Sequence, residues 1–389
     1  MALVVNTRSR WPKWLATVAV VVLVAGAGWW WSARQTSNVE RQTAQHTVPA
    51  PKLVRAEMKL AFVGDIFVGR GVDREARKTD THAQYPFAKL DGLELDQYQA
   101  VIGNLECPSV NDEVDYQQQF AALLFNCPTS YLPQLAKHID IVSLANNHTA
   151  NQDGQTGLET TRTNLDEQNI AHFGNFEPGI IDEICKLIPI DIELVYDDGS
   201  RKDSVIAAQF CGYHTVFRRA AAAEIAAIIP GSSLPTFVMP HAGAEYRAEP
   251  IPGKVEEFRA MIDAGADAVV GAHPHWVQST EIYQDKLIAY SLGNFIFDQP
   301  PGETSLGALL SAGLVITDLD YLEQLEQIAV DCPQLTGCEL LEELKKPQLT
   351  IDYEAQAVDI VDYRPQLGSD SSQQKLRQRL DLPQTSTDD

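Results

Sequence analysis

Several apolar runs in this chain finish in side chains that bind metal. The clearest is VVGAHPHWVQ, Val269 to Gln278, where two valines and a glycine lead into His273 and His275, two apart around a proline. Asp65 follows KLAFVG, Glu106 closes AVIGNLE, and Asn146, Asn147 and His148 close IDIVSLANNH. His241 lies in PTFVMPHAG and Asn294 in KLIAYSLGNFIF. Carboxylate, amide and imidazole groups are oxygen and nitrogen donors suited to Mn, Fe or Zn. A carboxylate can bridge two divalent ions, and ions about 3.5–4 Å apart can clamp a phosphoryl group and activate a water. Singly, each residue has a plainer reading. Asp65 and the asparagines fit turns, Glu106 fits the start of a helix, and His241 fits a satisfied core histidine. Together, Asp65, Glu106, Asn147, His241, His273 and His275 predict one site for a divalent metal, as two ions.

The elements that must position them read as buried strands: Lys59–Phe67, Ala100–Glu106, Ile139–His148, Ser204–Tyr213, Pro235–Gly243, Ala266–His275 and Lys286–Phe297. Amphipathic helices are predicted at Gly157–Gln168 and Lys254–Gly265, with a weaker one at Pro128–His138. Strands alternating with helices predict a layered α/β fold. In such folds ligands gather at the carboxyl ends of the strands. Strand alternation then puts His273 and His275 on one side.

The N-terminus reads differently. Arg8, Arg10 and Lys13 precede Trp14 to Ala33, a stretch without a charge. At about 1.5 Å per residue it spans roughly 30 Å, a bilayer core. Trp11 and Trp14 flank one end and Trp29, Trp30 and Trp31 the other, like interfacial belts. A cleaved signal peptide is the competing reading. The expected order is a cytoplasmic N-terminus (1–13), a transmembrane anchor (14–33), a linker (34–57), a folded domain (58–365) and a disordered tail (366–389). The basic flank predicts a single pass in the cell membrane with the main domain extracytoplasmic. The net charge of −23 and the absence of a basic block argue against a nucleic-acid partner. Six cysteines are present and none forms a CxxC pair; 107 with 127, 185 with 211 and 332 with 338 are plausible disulfides among fifteen arrangements.

FVGDIFVGRGV, GNLECP, IVSLANNHTANQDGQTGLETTRTNLDEQNI, MPHAGAEY, GADAVVGAHPHWVQSTEIY and IAYSLGNFIFDQ occur in that order. This series, across about Lys59 to Gln299, resembles the CapA (PgsA) family of capsule synthesis proteins, linked to poly-γ-glutamate. The resemblance implies a four-layer α-β-β-α sandwich like that of calcineurin-type metallophosphatases, two β-sheets flanked by helices behind a membrane anchor. It implies Asp65 and His275 on a first metal, Glu106 as the bridge, and Asn147, His241 and His273 on a second. His148 would serve as a catalytic acid or donor near the leaving group. Asn146, Glu245, Tyr246 and Asn294 would bind substrate or hold ligands. The chain departs from the phosphatase pattern at Phe67, where D-x-H has histidine, and from the family's HWGxEY at Ala242. The implied function is synthesis or export of an anionic capsule polymer, poly-γ-glutamate, alongside capsule-synthesis membrane proteins, with a metal-dependent hydrolase-type site. The alternatives are a non-catalytic polymer-handling or scaffold subunit, and a secreted phosphatase or nucleotidase unrelated to capsule.

Overall fold

β1 (Leu53–Ile66) changes partners halfway along, and the architecture follows from that. Its first residues alternate exposed and buried, as a strand with one wet face must. This half pairs antiparallel with β5 (Cys185–Tyr196) and β12 (Leu306–Ile316). From Leu60 every residue is buried, and β1 pairs in parallel with β2 (Ala100–Leu105) and β11 (Asn294–Ile296). β2 leads on, still parallel, to β3 (Ile141–Ser143) and β4 (Ala171–Phe173). On the other side, β5 forms a hairpin with β6 (Arg201–His214), followed in parallel by β7 (Thr236–His241), β8 (Ala268–Val270) and β10 (Lys286–Ala289). β9 (Thr280–Tyr283), β13 (Thr350–Val361) and β14 (Arg364–Leu367) add antiparallel edges.

The computed structural model describes residues 50–380 except 114, 178, 180–182, 230–232, 333 and 336. The fold is mixed α/β. Among the described residues fourteen strands are hydrogen-bonded into one sheet that runs through β1. Its two parallel groups face each other across one core. Phe62 on β1 meets Phe237 on β7, and Phe173 on β4 meets Phe210 on β6, each at 5.7 Å between ring centroids. The helix Gly154–Asp166 buries Leu158 and Leu165 in a second cluster with Ala61, Val63 and Val142. The helix Pro252–Asp263 buries Phe258 and Met261 in a third cluster with Val238, Val269 and Ile288. Both helices were expected, within a few residues of these bounds.

Several expectations change. Lys286–Phe297 is two strands, because Gly293 takes a left-handed turn (φ +69°), and Asn294 begins β11 rather than ending a strand. β8 stops at Val270, so His273 and His275 lie in a loop, at φ of 96° and 56°. Their shared side comes from that loop, not from strand alternation. Pro128–His138 gives only a 3-10 turn and the single helical turn Leu132–Leu135. The stretch read as a tail from residue 366 contains a helix, Asp370–Arg379, docked by buried Leu376 and by Lys375 and Arg379 on Glu303. Its polar sequence hid one apolar anchor and two ion pairs.

Residues 1–13 and 14–33, the latter expected as a membrane anchor, lie outside the described residues, as do 381–389. Among the described residues no helix is long and apolar enough to cross a membrane. β1 begins at Leu53, inside the stretch read as linker. The disulfides are Cys107–Cys127, Cys185–Cys211 and Cys332–Cys338.

Gly64 is where β1 and β11 come closest. A Cβ there would lie 1.9 Å from the Gly293 carbonyl oxygen, which accepts from the Asp65 N–H at 3.0 Å. Backbone cannot yield as a side chain tip can. Gly64→Ala is therefore expected to cost at least about 3 kcal/mol in urea unfolding; Gly199→Ala, facing open space, should cost less.

Candidate metal centre

Both parallel groups of strands end at one place. Asp65 stands at the end of β1, Glu106 one residue past β2, and 146–148 just past β3. His241 ends β7, and the loop after β8 brings His273 and His275. Asp65, Glu106, Asn146, His241, His273, His275 and Asn294 are all buried.

Two groups of donors result. Asp65, Glu106 and His275 form one, and Glu106, His241 and His273 the other; within each, ligand atoms lie within 4.8 Å of one another. Glu106 is common to both. Its Oε1 lies 3.9 Å from His275 Nε2, 3.7 Å from His241 Nε2 and 4.0 Å from His148 Nε2. Asn147 joins the second group through its Oδ1, 2.9 Å from His241 Nε2.

Hydrogen bonds aim these groups. The Asn294 amide donates to Gln299 Oε1 and the Thr304 carbonyl, leaving its Oδ1 to accept from His275 Nδ1 at 2.9 Å. That turns His275 Nε2 toward Glu106, where it would offer a lone pair to a metal once its proton is displaced. Asn146 accepts from the His148 and Thr149 N–H groups and donates to Asn104 Oδ1 and the Leu105 carbonyl. It shapes the 146–149 turn and ties it to β2. His148 donates from Nδ1 to Asn151 Oδ1 at 2.8 Å and stacks on Phe125 at 3.7 Å, so its Nε2 lone pair faces the centre. Tyr246 is half exposed, stacks near His275 at 6.0 Å and accepts from Gln299 at 3.1 Å. Glu245 is exposed beside it.

Sequence reasoning missed Asn104. Its amide donates to Asp65 Oδ1 at 2.8 Å and lies 3.2 Å from His241 Nδ1, so it joins both strand groups. Its signal was a polar residue inside an apolar strand, two before Glu106. Also missed was Arg70, paired with Asp298 and lying 4.4 Å over the Phe125 ring that carries His148. Phe67 packs on Phe125 and Phe297, so no imidazole from that position reaches the first group.

Burial, and then the Asp65 charge, push the Glu106 carboxyl well above the usual carboxylate range. Burial holds His241 well below the ordinary histidine value, His273 down at about 2 and His148 at about 4. For His275 burial acts downward too, but Glu106 and Asp65 overcome it and raise it to about 9. Burial, with Glu245 next, raises Tyr246 to about 12.

The donor set fits a metal on one further observation. Neither Glu106 oxygen, nor His273 Nδ1, has a hydrogen-bond partner among the described residues, although all three are buried. Unpartnered buried polar atoms are costly, and a cation satisfies all three. The fold and site thus define an α/β protein with a candidate centre for divalent metal.

The family follows from comparison. The model of the bacterial capsule synthesis protein PGA_cap matches residues 59–179 and 205–299. That is more than half of the chain, which belongs to this family. The capsule biosynthesis protein CapA of Bacillus anthracis is 27% identical over 317 residues, covering 78% of this chain and 73% of that protein. The PGA biosynthesis protein CapA of Bacillus subtilis is 28% identical over 274 residues, covering 65% and 67%. A Staphylococcus aureus structure, described as a candidate 5'-nucleotidase in complex with alpha-ketoglutarate, covers 82% of this chain and 57% of its own at 14% identity and a TM-score of 0.41, too loose a likeness to argue from.

Two measurements test the centre. Glu106→Gln removes the carboxylate that both groups share while keeping its shape. Manganese affinity is expected to fall by at least about 100-fold, while the metal-free variant matches or exceeds wild-type urea stability, because the buried carboxyl without a hydrogen-bond partner is gone. A variant that still binds metal normally would contradict the bridging place. The second test is pH. His148, His172, His214, His241 and His273 are all lowered by burial. The unfolded chain binds more protons than the folded one below about pH 6.5, so their stability is present above that value and lost as pH falls. His275 has the opposite sign, stabilising below about 6.5 and losing that through about 9. The metal-free chain is expected to lose on the order of a few kcal/mol between pH 7 and 5 in urea titrations. A flat profile would show these imidazoles to be exposed.

Proposed function

We propose that this capsule synthesis protein is membrane-anchored and extracytoplasmic, and that it acts on an anionic capsule polymer, poly-γ-glutamate, through a divalent-metal hydrolase site. The observation that carries this is the pair of donor groups sharing Glu106. Asp65 and His275 would hold one ion, and Asn147, His241 and His273 the other. The ions would be Mn, Fe or Zn, given the mixed oxygen and nitrogen donors. The architecture would then be the four-layer sandwich of calcineurin-type metallophosphatases. When bound, such a pair supplies Lewis acidity to an oxyanion and makes water more acidic. His148, unprotonated at Nε2 and fixed by Phe125 and Asn151, is placed to receive or return a proton beside Glu106. Glu245 and Tyr246 form a rim for substrate. The disulfides support an oxidising compartment, and the charge-free Trp14–Ala33 stretch supports the anchor. Capsule-synthesis membrane proteins are the expected partners.

Phe67 favours a second reading. The first group lacks the D-x-H histidine, and a net charge of −23 repels polyglutamate unless metal offsets it. A non-catalytic polymer-handling subunit would need only the ion.

With manganese supplied, the wild-type chain is expected to hydrolyse bis-p-nitrophenyl phosphate. His148→Ala should lower kcat about 10²- to 10⁴-fold, and His273→Ala/His275→Ala should abolish both activity and metal uptake. A chain that takes up metal but hydrolyses neither this ester nor poly-γ-glutamate would leave the scaffold reading.

A further inference from the structure

A buried lysine lies behind the centre, outside every role assigned so far. Lys254 is on the helix Pro252–Asp263 and is 1% exposed. Lysine is almost never buried without a partner, and this ammonium has a designed one. It donates to Gln278 Oε1 at 3.1 Å and lies 5.1 Å over the Phe258 ring. Gln278, equally buried, donates from Nε2 to the carbonyls of Arg247 and Glu249 at 3.0 and 3.2 Å. These donations fix which side of the Gln278 amide faces the lysine.

The connected segments matter more than the bond. Gln278 ends the segment that carries His273 and His275. Arg247 and Glu249 lie in the loop that follows His241 and carries Glu245 and Tyr246. Gly243 of that loop, at φ +107°, rests on the lysine: a Cβ there would lie 2.9 Å from Lys254 Cδ and 3.4 Å from Nζ. One ammonium therefore supports the loop that follows His241, and the amide it holds joins that loop to the segment carrying His273 and His275. The two segments also meet through backbone bonds, Ala272 N–H to the Pro240 carbonyl and Ala242 and Tyr246 N–H to the Ala272 and Pro274 carbonyls, but past His241 and Val270 neither continues as a strand. β8 has only three residues, and His273, His275 and Tyr246 all have left-handed backbones. Strained loop residues persist only where their surroundings over-determine them.

We propose that Lys254 is a positioning residue, which clasps the His241 and His273–His275 loops together through Gln278 and so sets the spacing of the metal-binding imidazoles. This rests on the metal reading above. Removing partners that orient metal ligands commonly lowers metal affinity 10- to 100-fold.

The test uses the full chain with Lys254→Met, which keeps a stem under Gly243 and drops the ammonium, and with Gln278→Met as a second route should the first not fold. Cobalt(II) is titrated while its visible d–d bands are followed, and backbone hydrogen exchange is measured by mass spectrometry. In either folded variant, cobalt affinity should fall about 10- to 100-fold with altered bands. Exchange should quicken in 242–250 and 271–278 but not in β5 and β6. The double variant should lose no more than one single variant, since both break one unit. Wild-type bands and affinity with unchanged loop exchange would overturn the proposal. So would exchange quickening evenly along the chain, which marks general destabilisation. If the wild type itself takes no cobalt, the metal reading fails. Loop-confined exchange would then still support the clasp, and its absence would still overturn it.

Discussion

The Glu106 carboxylate is the constraint on which the rest of this structure turns. It is wholly buried, neither oxygen has a hydrogen-bond partner among the described residues, and a second carboxylate stands close by. Such a group works against folding. Three imidazoles, His148, His241 and His275, approach its Oε1 at 3.7–4.0 Å without donating to it. A chain keeps that arrangement when something absent from the polypeptide completes it. The same groups are poor for stability and good for binding cations, the usual conflict at functional sites.

Topology makes the convergence possible. Two groups of parallel strands are linked by β5, antiparallel to β1 and to β6, so both point their carboxyl ends the same way. The β1–β4 group brings the carboxylates and Asn147, and the β6–β10 group brings the histidines. Neither group holds a complete set. Asn104 sits at the seam, donating to Asp65 and lying against His241. Gly64 and Gly293 let the backbones meet where Asp65 must be placed.

Much of this was legible in the sequence, for definite reasons. Buried parallel strands read as continuous apolar runs, and ligands sit where those runs end, so Asp65, Glu106, Asn147, His241, His273 and His275 stood out. What stayed hidden depends on tertiary geometry. The loop geometry of His273 and His275 arises because β8 is short, so strand alternation is not what brings them to the site. The C-terminal helix hid because a single leucine and two ion pairs hold it. Asn104, Gln278 and Lys254 hid because an interior polar residue looks like any other until its partners are known. Fourteen strands in one ladder could not be foreseen from run lengths, since partner switching within β1 leaves no compositional mark beyond its change from alternating to continuous apolar.

The most direct test of the account is a crystal of the chain grown with manganese, with anomalous scattering recorded at the manganese edge. The account predicts two peaks about 3.5–4 Å apart, with the Glu106 carboxylate between them, Asp65 and His275 on one and Asn147, His241 and His273 on the other. Peaks elsewhere, or none at saturating manganese with Glu106 still unpartnered, would contradict it.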